Sequence, residues 1–372
     1  MPTADQLLSA KSVHGLIGCL TTVAPEQRLP LVRTSAAALD RLSLSERNRA
    51  VRDALLADLP ADYESFAAII GAALGDPEFT GWMIWPVTEA VAVRSLAPGA
   101  DDRFDAGLDL LARLTSRLTG EFALRSFLEA DLDRTLATVR EWTTHPDENV
   151  RRLASEGTRP RLPWARRVAA ILRSPGITVP VLDALYRDPS EYVRRSVANH
   201  LNDFSRTDSE ITTTAAARWL EHPDEHTGKV VRHGLRTLVK SGDPEALRLL
   251  GFAPPAHIDL CGPVLHPTTL PLGGGLEFEF TLKNNGPDAV SLAVDYVIHH
   301  RKANGRTTPK VFKLTTRTLA PGASAAIARR HSFKPLSTRT YYPGEHTLEI
   351  QVNGTRFGTT TFELTPEPTG KR

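Results

Sequence analysis

One internal repeat constrains the fold of this 372-residue chain more than any other feature of its sequence. Residues 142–152, WTTHPDENVRR, match residues 185–195, LYRDPSEYVRR, element for element, and a looser copy with a short insertion runs over 219–233. Repeats with a period of about 20 to 50 residues are typical of proteins in which each unit buries its apolar face against its neighbours. The repeat therefore predicts a solenoid.

The prolines of the repeat indicate what each unit contains. Pro146, Pro189 and Pro223 are separated by 43 and then 34 residues, a range typical of two-helix repeats of the HEAT type. Proline is tolerated in the first turn of a helix, so each one suits the turn between the two helices of a unit. Leucines recur at three- and four-residue intervals over 108–118 and mark an apolar helical face. We therefore predict an all-α, HEAT-like repeat solenoid.

The second helix of each predicted unit begins with Val-Arg, which would stack arginines into a row on the concave surface. Such a row could follow a phosphate backbone. The other interpretation is that each arginine pairs with an acidic residue of the neighbouring repeat, an arrangement common in HEAT repeats.

The composition changes at the helix-breaking residues 252–255, FAPP, and strand patterns follow. Residues 276–282, LEFEFTL, alternate strictly and lead into a turn at 283–287. Further strand candidates lie at 290–298, 311–316, 325–332, 344–352 and 359–364, with turns at 320–322 and 352–354. About seven short strands in about a hundred residues are typical of an immunoglobulin-like sandwich.

These patterns predict a multidomain chain, a helical solenoid followed by a C-terminal all-β immunoglobulin-like sandwich, because its length is too great for one small core. We place a helical-repeat domain at 1–253, a linker at 254–257, a β-sandwich domain at 258–366 and a disordered tail at 367–372.

The net charge of +2 hides an uneven distribution. Residues 1–150 carry 14 Lys/Arg against 22 Asp/Glu, whereas residues 151–195 carry 10 against 4 and residues 256–372 carry 14 against 9. Two separate basic regions could contact a polyanion from two sides. The alternative is that both are solvated surfaces without a ligand.

Several functional classes have no support in the sequence. No apolar run is long enough to cross a bilayer, and the first ten residues lack the basic stretch and apolar core of a signal peptide. Cys19 and Cys261 have no Cys or His partners at metal-ligand spacing, and no nucleotide loop or Ser/His/Asp set stands out. We expect a cytoplasmic monomer with no membrane partner, no metal and no cofactor.

Acidic residues follow the arginines on the predicted second helices. Glu156 lies four residues after Arg152, and Arg195 is followed at four-residue steps by Asn199 and Asp203, so each set shares one helical face. A carboxylate would repel phosphates, which indicates a surface that does more than bind a nucleic-acid backbone. The alternative is that Glu156 and Asp203 simply neutralise Arg152 and Arg195.

The connection at 157–167, GTRPRLPWARR, is unusually rich in arginine and surrounds Trp164. Pro163 suits the start of the next helix, with Trp164 in its first turn. An aromatic ring beside arginines and a carboxylate could contact a base or a deoxyribose. The alternative is a core tryptophan that holds the next helix in place.

Residues 151–164, RRLASEGTRPRLPW, and residues 192–203, YVRRSVANHLND, resemble the AlkC family, HEAT-like-repeat alkylpurine DNA glycosylases of the AlkC and AlkD superfamily. The spacing between the two blocks fits as well, and the resemblance covers the helical domain nearly end to end. The strand-rich C-terminal part resembles the immunoglobulin-like domain that one AlkC branch carries.

The resemblance implies a base-excision-repair glycosylase that removes cationic alkylated bases, such as 3-methylcytosine, 1-methyladenine and 3-methyladenine, from bent double-stranded DNA without flipping them. By position, Glu156 and Asp203 would be the acidic pair at the lesion, with Trp164 lining the sugar and Arg152 positioning the carboxylates. Glu121 falls where the family places a further acid, although a carboxylate in a helix's first turn is also a routine partner of the helix dipole. The residues expected to contact DNA are Arg151, Arg159, Arg161, Arg166, Arg194, Arg195, Asn199, Lys229 and Arg232.

The chemistry of such a substrate explains the need for carboxylates. An N-alkylated base already carries positive charge, so it leaves as a neutral molecule without a general acid. The sugar C1′ gains oxocarbenium character, which a nearby carboxylate stabilises while it orients water. Basic residues of the sandwich could hold the bent duplex opposite the arginine row, and the candidates are Arg301, Lys302, Arg306, Lys310, Arg329 and Arg330.

Two alternatives stay open at this point. The chain could be a non-catalytic HEAT-repeat scaffold that binds a protein partner, or a DNA-binding member of the superfamily without excision activity.

Overall fold

The computed structural model describes residues 4–99, 102–335 and 339–366, and in these ranges it contains seventeen α-helices followed by eight β-strands. The first nine helices are α1 (Ala4–Leu7), α2 (Ala10–Val23), α3 (Pro30–Ala38), α4 (Leu44–Asp58), α5 (Tyr63–Ala73), α6 (Ile84–Ser95), α7 (Arg103–Thr115), α8 (Glu121–Ala130) and α9 (Leu132–Trp142). The remaining helices are α10 (Glu148–Gly157), α11 (Ala169–Arg173), α12 (Val179–Leu185), α13 (Glu191–Phe204), α14 (Ser209–Glu221), α15 (Thr227–Gly234), α16 (Arg236–Ser241) and α17 (Pro244–Leu249).

The three predicted repeats are the helix pairs α9/α10, α12/α13 and α14/α15, and each repeat proline lies in the turn between the two helices. An aspartate beside each proline accepts a backbone N–H group at or just before the start of the second helix, and Asp147 is the N-cap of α10. These bonds join Asp147 to Asn149 at 2.8 Å, Asp188 to Ser190 at 2.9 Å and Asp224 to Thr227 at 2.7 Å. The helix α10 packs on α13, and α13 packs on α15.

The predicted leucine face lies on α7, where Leu108, Leu111 and Leu114 are fully buried. Leu114 belongs to the core of the N-terminal helices, and Leu118 packs against that core just beyond the end of α7. The all-α prediction for this part of the chain is therefore confirmed.

The strands form two sheets, as predicted for a sandwich. Their bounds are β1 (Ile258–His266), β2 (Thr269–Pro271), β3 (Gly275–Asn284), β4 (Val290–Arg301), β5 (Thr307–Leu319), β6 (Ser324–Ser332), β7 (Gly344–Val352) and β8 (Thr355–Thr365). One sheet has the order β1-β3-β6 and the other β2-β8-β7-β4-β5, with all pairs antiparallel except β2 with β8.

The apolar side chains of the two sheets form the sandwich core. On β3, Leu276, Phe278, Phe280 and Leu282 are buried in alternation with more exposed residues, as the sequence pattern predicts. The strands β1 and β2 were not predicted. The first contains a bulge between Cys261 and Val264, which interrupts the alternation that would have revealed it.

The chain divides into two compact units, Met1–Ile211 with Arg218–Gly234, and Thr212–Ala217 with Leu235–Arg372. The domain limits proposed from sequence stay a prediction, and the tail at 367–372 lies outside the described residues. No helix in the described ranges has the length and apolarity needed to cross a membrane.

Candidate functional site

Three carboxylates predicted from sequence lie at helix ends in the first unit. Glu121 is the first residue of α8, Glu156 lies in the last turn of α10, and Asp203 lies in the last turn of α13. Their side chains are at most 11% exposed. Buried carboxylates need compensating charge or hydrogen bonds, so their partners define what the site can do.

Two glycines allow close packing at the ends of the helices that carry Glu121 and Glu156. A Cβ atom at Gly120 would lie 2.8 Å from the Leu111 side chain, and one at Gly157 would lie 2.5 Å from Cδ2 of Leu124. Both distances are shorter than real Cβ contacts, so a larger residue where α8 begins or α10 ends would displace these leucine side chains.

Arg152 joins two of the carboxylates. Its Nη1 donates to Oε2 of Glu121 at 2.5 Å and to Oγ1 of Thr119 at 3.2 Å, and its Nη2 lies 3.6 Å from Oε1 of Glu156. The guanidinium also lies over the Tyr192 ring, 5.0 Å from the ring centroid. The two carboxylates and the Tyr192 ring thereby hold the Arg152 guanidinium in one orientation.

Arg159 lies between the other two carboxylates. Its Nη1 donates to Oε1 of Glu156 at 2.7 Å, while Nε and Nη2 donate to the two oxygens of Asp203 at 2.9 and 3.2 Å. The bidentate geometry is the strong form of an arginine–carboxylate pair. Arg159 was predicted to contact DNA, but its side chain is only 9% exposed and its guanidinium is used inside the site.

The remaining carboxylate oxygens differ in whether they accept a hydrogen bond. Oγ of Ser196 donates to Oε2 of Glu156 at 2.6 Å, and the backbone N–H of Arg161 donates to Oδ2 of Asp203 at 3.3 Å. Oε1 of Glu121 has no hydrogen-bond partner in the described part of the chain. Burial raises the pKa of Glu121, with Glu156 acting in the same direction and Arg152 opposing it. Glu121 therefore has the carboxylate oxygen best placed to accept a proton or hold water.

A cavity of about 340 Å³ opens beside these groups. The residues that bound it include two of the three carboxylates, Arg152 and four aromatic residues: Glu121, Glu156, Arg152, Trp82, Phe122, Trp164 and Tyr192. Asp203 is not among the described residues that line this cavity, and it reaches the cavity wall through Arg159 and Glu156.

Arg125 of α8 stabilises the loop that carries Trp164 through hydrogen bonds to backbone carbonyl groups. Nη1 of Arg125 donates to the carbonyls of Gly157 and Arg159 at 3.0 and 2.7 Å, and Nε donates to the carbonyl of Arg166 at 3.1 Å. Arg125 is fully buried, and desolvation lowers its pKa to about 10, so it is still cationic at neutral pH.

The prediction that Pro163 opens a helix with Trp164 in its first turn is wrong. The next helix, α11, begins at Ala169, and Trp164 adopts a left-handed backbone conformation with φ of 62°. Its side chain is 65% exposed, which also excludes a core tryptophan. A non-glycine residue held with positive φ is typical of functional loops whose surroundings fix them.

The residues predicted to contact DNA fall into two groups. Arg151 donates to both oxygens of Asp188 at 2.6 and 3.0 Å, and Arg194 donates to the carbonyls of Asp188 and Pro189, so both link helical segments. The pair of Arg151 with Asp188 is the inter-repeat pairing that the sequence left open, whereas Arg194 bonds backbone carbonyls within its own repeat. More accessible side chains belong to Arg161, Arg166, Arg195, Asn199, Lys229 and Arg232, of which Arg166, Arg195 and Lys229 are each at least half exposed.

Sequence reasoning missed Tyr192, Ser196 and Arg125. Tyr192 and Ser196 lie four residues apart on α13 and continue the face that contains Asp203, so helical spacing could have identified them. Arg125 is a single charge in the apolar run FALRSFL, which is the signal of a buried arginine with a dedicated partner.

The chain is similar to known proteins over most of its length. Residues 259–366 match the family described as the C-terminal Ig-like domain of the uncharacterised protein YhaZ. The chain is 36% identical over 314 residues to the uncharacterised protein YhaZ of Bacillus subtilis (strain 168), covering 84% of this chain and 85% of YhaZ. It is also similar to the Pseudomonas fluorescens alkylpurine DNA glycosylase AlkC bound to DNA containing an abasic site analog, with a TM-score of 0.90 and 34% identity over 98% of this chain and 100% of that one.

The fold and the site together define a class, helical-repeat proteins that place buried carboxylates at the ends of their second helices and continue into an immunoglobulin-like sandwich. Within that class, the chain belongs to the AlkC family, in the YhaZ-related branch that carries the C-terminal immunoglobulin-like domain.

Proposed function

We propose that this protein is a DNA glycosylase that hydrolyses the N-glycosidic bond of cationic alkylated bases in double-stranded DNA. The observation that carries the proposal is the cavity in which Glu121, Glu156 and the exposed ring of Trp164 face the same space. The similarity to an alkylpurine DNA glycosylase over nearly the whole chain supports the same reaction class.

In the proposed reaction, the bond between C1′ and the base nitrogen breaks and its electron pair neutralises the cationic base. The oxygen of a water molecule then bonds to C1′, and its proton passes to a carboxylate. Glu121 suits this last role because one of its oxygens is unoccupied and burial raises its pKa. Trp164 would contact the sugar or the neighbouring base.

The carboxylates also stabilise the positive charge that develops on the sugar. A carboxylate at ~4 Å, with an effective dielectric constant of about 20, is worth roughly 4 kcal/mol, or about a thousandfold in rate. Glu156 would supply this charge, held rigid by Arg159 and Ser196. Asp203 would act as a positioning residue, because both its oxygens are bound by Arg159 and it does not line the cavity among the described residues.

Aromatic residues form much of the border of this cavity, so a base can stack against them without entering it completely. A base that stays in or near the stack avoids much of the few kcal/mol that full extrusion costs. The duplex would instead bend, and the exposed Arg195, Lys229 and Arg232 are available to contact its backbone.

The deciding experiment is release of methylated base from alkylated duplex DNA by the full-length protein. We expect release by the unmodified protein and a loss of at least about a hundredfold in Glu121→Gln and Glu156→Gln. Glu221→Gln, an exposed residue at the end of α14, is the matched control and should behave like the unmodified protein. Full activity in both site variants would refute the assignment of these carboxylates.

A second candidate is a protein that binds DNA without excising bases. It is favoured by the ion pairs of Arg159, which occupy oxygens of both Glu156 and Asp203. The same assay separates the two functions, because this candidate predicts binding of alkylated DNA with no release of base under single-turnover conditions.

A further inference from the structure

A second cavity, of about 470 Å³, shares Trp164 with the proposed catalytic cavity. Trp164 and Phe122 line both cavities, and the second is completed by residues of α4 and α6. Its volume lies in the range of small-molecule sites, about 300 to 1,000 Å³. None of the roles proposed above uses it.

Asn48 indicates that this cavity is built to receive a polar ligand. It lies on α4, is 2% exposed and lines the cavity, yet its Oδ1 has no hydrogen-bond partner among the described residues. Buried acceptors without a partner are rare because they lose their bonds to water and gain nothing in return. A ligand that donates a hydrogen bond would satisfy this oxygen.

Aromatic side chains provide the other walls. The Trp85 ring is fixed by a hydrogen bond of 3.1 Å from its Nε1 to Oε1 of Glu89, and the Phe122 ring lies 4.9 Å from it between centroids. The exposed Trp164 ring borders the same space. Flat aromatic surfaces beside an amide acceptor suit a planar ligand with an N–H donor at its edge.

The charges around the cavity favour a neutral planar ligand over a cationic one. The described lining residues include three arginines, Arg49, Arg52 and Arg166, and one carboxylate, Glu89. Arg52 pairs with Glu89 at 3.4 Å and with Asp53 at 2.7 Å, and Arg166 pairs with Glu129 at 3.1 Å. Arg49 is therefore the lining cation without an ion pair among the described residues, and it would repel a cationic ligand. It would not repel a neutral one.

We propose that this cavity binds a neutral nucleobase, which stacks on the aromatic wall and donates a hydrogen bond from its edge to Oδ1 of Asn48. The inference rests on the proposed function, because an alkylated base becomes neutral when its glycosidic bond breaks. The base has two sources, the released base itself or an unmodified base of the bound DNA, and both share this chemistry.

Binding of free bases to the full-length protein, without DNA, tests the site independently of any excision activity. Saturation-transfer NMR with adenine should show binding by the unmodified protein. Asn48→Leu should weaken it about tenfold, the loss expected for one hydrogen bond to a buried acceptor. Asn48→Ala is a second variant in case leucine is not accommodated, and thermal melting monitors the fold of both.

Glu121→Gln distinguishes this site from the catalytic cavity, since Glu121 lines only the latter of the two. Adenine binding should be unchanged in Glu121→Gln. Binding that is lost in Glu121→Gln and retained in Asn48→Leu would place the base in the catalytic cavity and overturn the proposal.

Adenosine and 1-methyladenosine form a matched neutral and cationic pair for the charge argument. Near neutral pH the protein should bind adenosine more tightly than 1-methyladenosine. Arg49→Gln should reduce the ratio of these two affinities. Arg41→Gln, which removes an exposed charge outside the cavity, should leave it unchanged. A preference for the cation would contradict the proposal.

A last experiment distinguishes the released base from a base of the bound DNA. If free bases do not bind, 2-aminopurine placed next to or opposite an abasic site in duplex DNA should show fluorescence quenching that depends on Asn48. Binding of a free base that depends on Asn48 supports the site with the released base as its occupant. Quenching of 2-aminopurine that depends on Asn48 supports the site with a DNA base as its occupant. The absence of both results overturns the proposal.

Discussion

At the scale of single residues, the charge balance of the site depends on Arg159. It is the one guanidinium among the described residues that bonds directly to both Glu156 and Asp203, and all three side chains are at most 9% exposed. Removal of one partner of a buried ion pair leaves an uncompensated charge, which costs far more than an exposed pair contributes.

We therefore predict that Arg159→Gln lowers the free energy of unfolding by about 3–5 kcal/mol. Chemical denaturation at neutral pH measures the change. The double variant Arg159→Gln, Asp203→Asn should recover part of the loss, because the second substitution removes the buried carboxylate that loses its ion pair with Arg159. Strictly additive effects would show that Arg159 and Asp203 do not interact as the structure indicates.

Glu121 gives the site a pH dependence. Burial raises the pKa of its carboxyl above the ordinary glutamate value of 4.5, and the proposed role requires the ionised form. We predict that kcat/KM for base release falls as the pH decreases, with an acidic limb whose midpoint lies above pH 4.5. The residual activity of Glu121→Gln should lack this limb. An identical limb in the variant would assign the titration to another group.

At the scale of elements, the loop between α10 and α11 matters most, because it carries both Arg159 and Trp164. Arg125 holds the carbonyl groups of Arg159 and Arg166 in this loop, together with that of Gly157 where α10 ends. This arrangement explains how Trp164 can keep a left-handed backbone in an exposed position.

We predict that Arg125→Gln loosens this loop while the surrounding helices stay folded. Amide hydrogen exchange should accelerate over residues 158–168, and base release should fall at least about tenfold. Arg140→Gln on α9, which removes an exposed arginine, is the control and should change neither. Global acceleration of exchange in Arg125→Gln would instead indicate a role in the stability of the whole unit.

The same loop shows where prediction from sequence fails. The repeat predicted the positions of α10 and α13, and thus of Glu156 and Asp203, because helical spacing and proline-containing turns are local signals. Pro163 is also a local signal for a helix start, but Arg125 is 41 residues from Arg166 in sequence and satisfies the carbonyl of that loop residue through a long-range contact. Local patterns carry no information about such a contact.

Arg159 illustrates the same limit for the site. A solvent-exposed arginine and one buried between carboxylates look alike in sequence, and only the approach of α10 to α13 distinguishes them. The charge division predicted two basic regions but could not separate Arg151 and Arg194, which connect helical segments, from Arg195 and Lys229, which are exposed.

At the scale of the whole molecule, each compact unit has its own basic surface. In the second unit, Lys302, Lys310 and Arg339 line a cavity of about 620 Å³, and the guanidinium of Arg339 lies 5.6 Å from the centroid of the Phe312 ring. Desolvation lowers the pKa of Lys310, and neighbouring positive charge acts in the same direction as the smaller cause. Crowded cations of this kind are relieved by a bound phosphate.

We predict that this basic cavity contributes to DNA affinity through electrostatic contacts alone. Replacing Lys302, Lys310 and Arg339 together by glutamine should weaken DNA binding and reduce the slope of log K against log salt by about 0.9 for each phosphate that is no longer neutralised. Fluorescence anisotropy over a salt series measures the slope. The control replaces three exposed basic residues elsewhere on the sandwich, Lys283, Arg317 and Lys334, by glutamine.

The two triple variants have the same net charge, so a difference between their slopes reports local binding of phosphate and not the total charge of the protein. The rate of base release at saturating DNA should be unchanged in both, because the catalytic groups lie in the first unit. Equal slopes in the two variants would remove this cavity from the DNA-binding surface, and a lower single-turnover rate would mean that the sandwich also affects the chemical step.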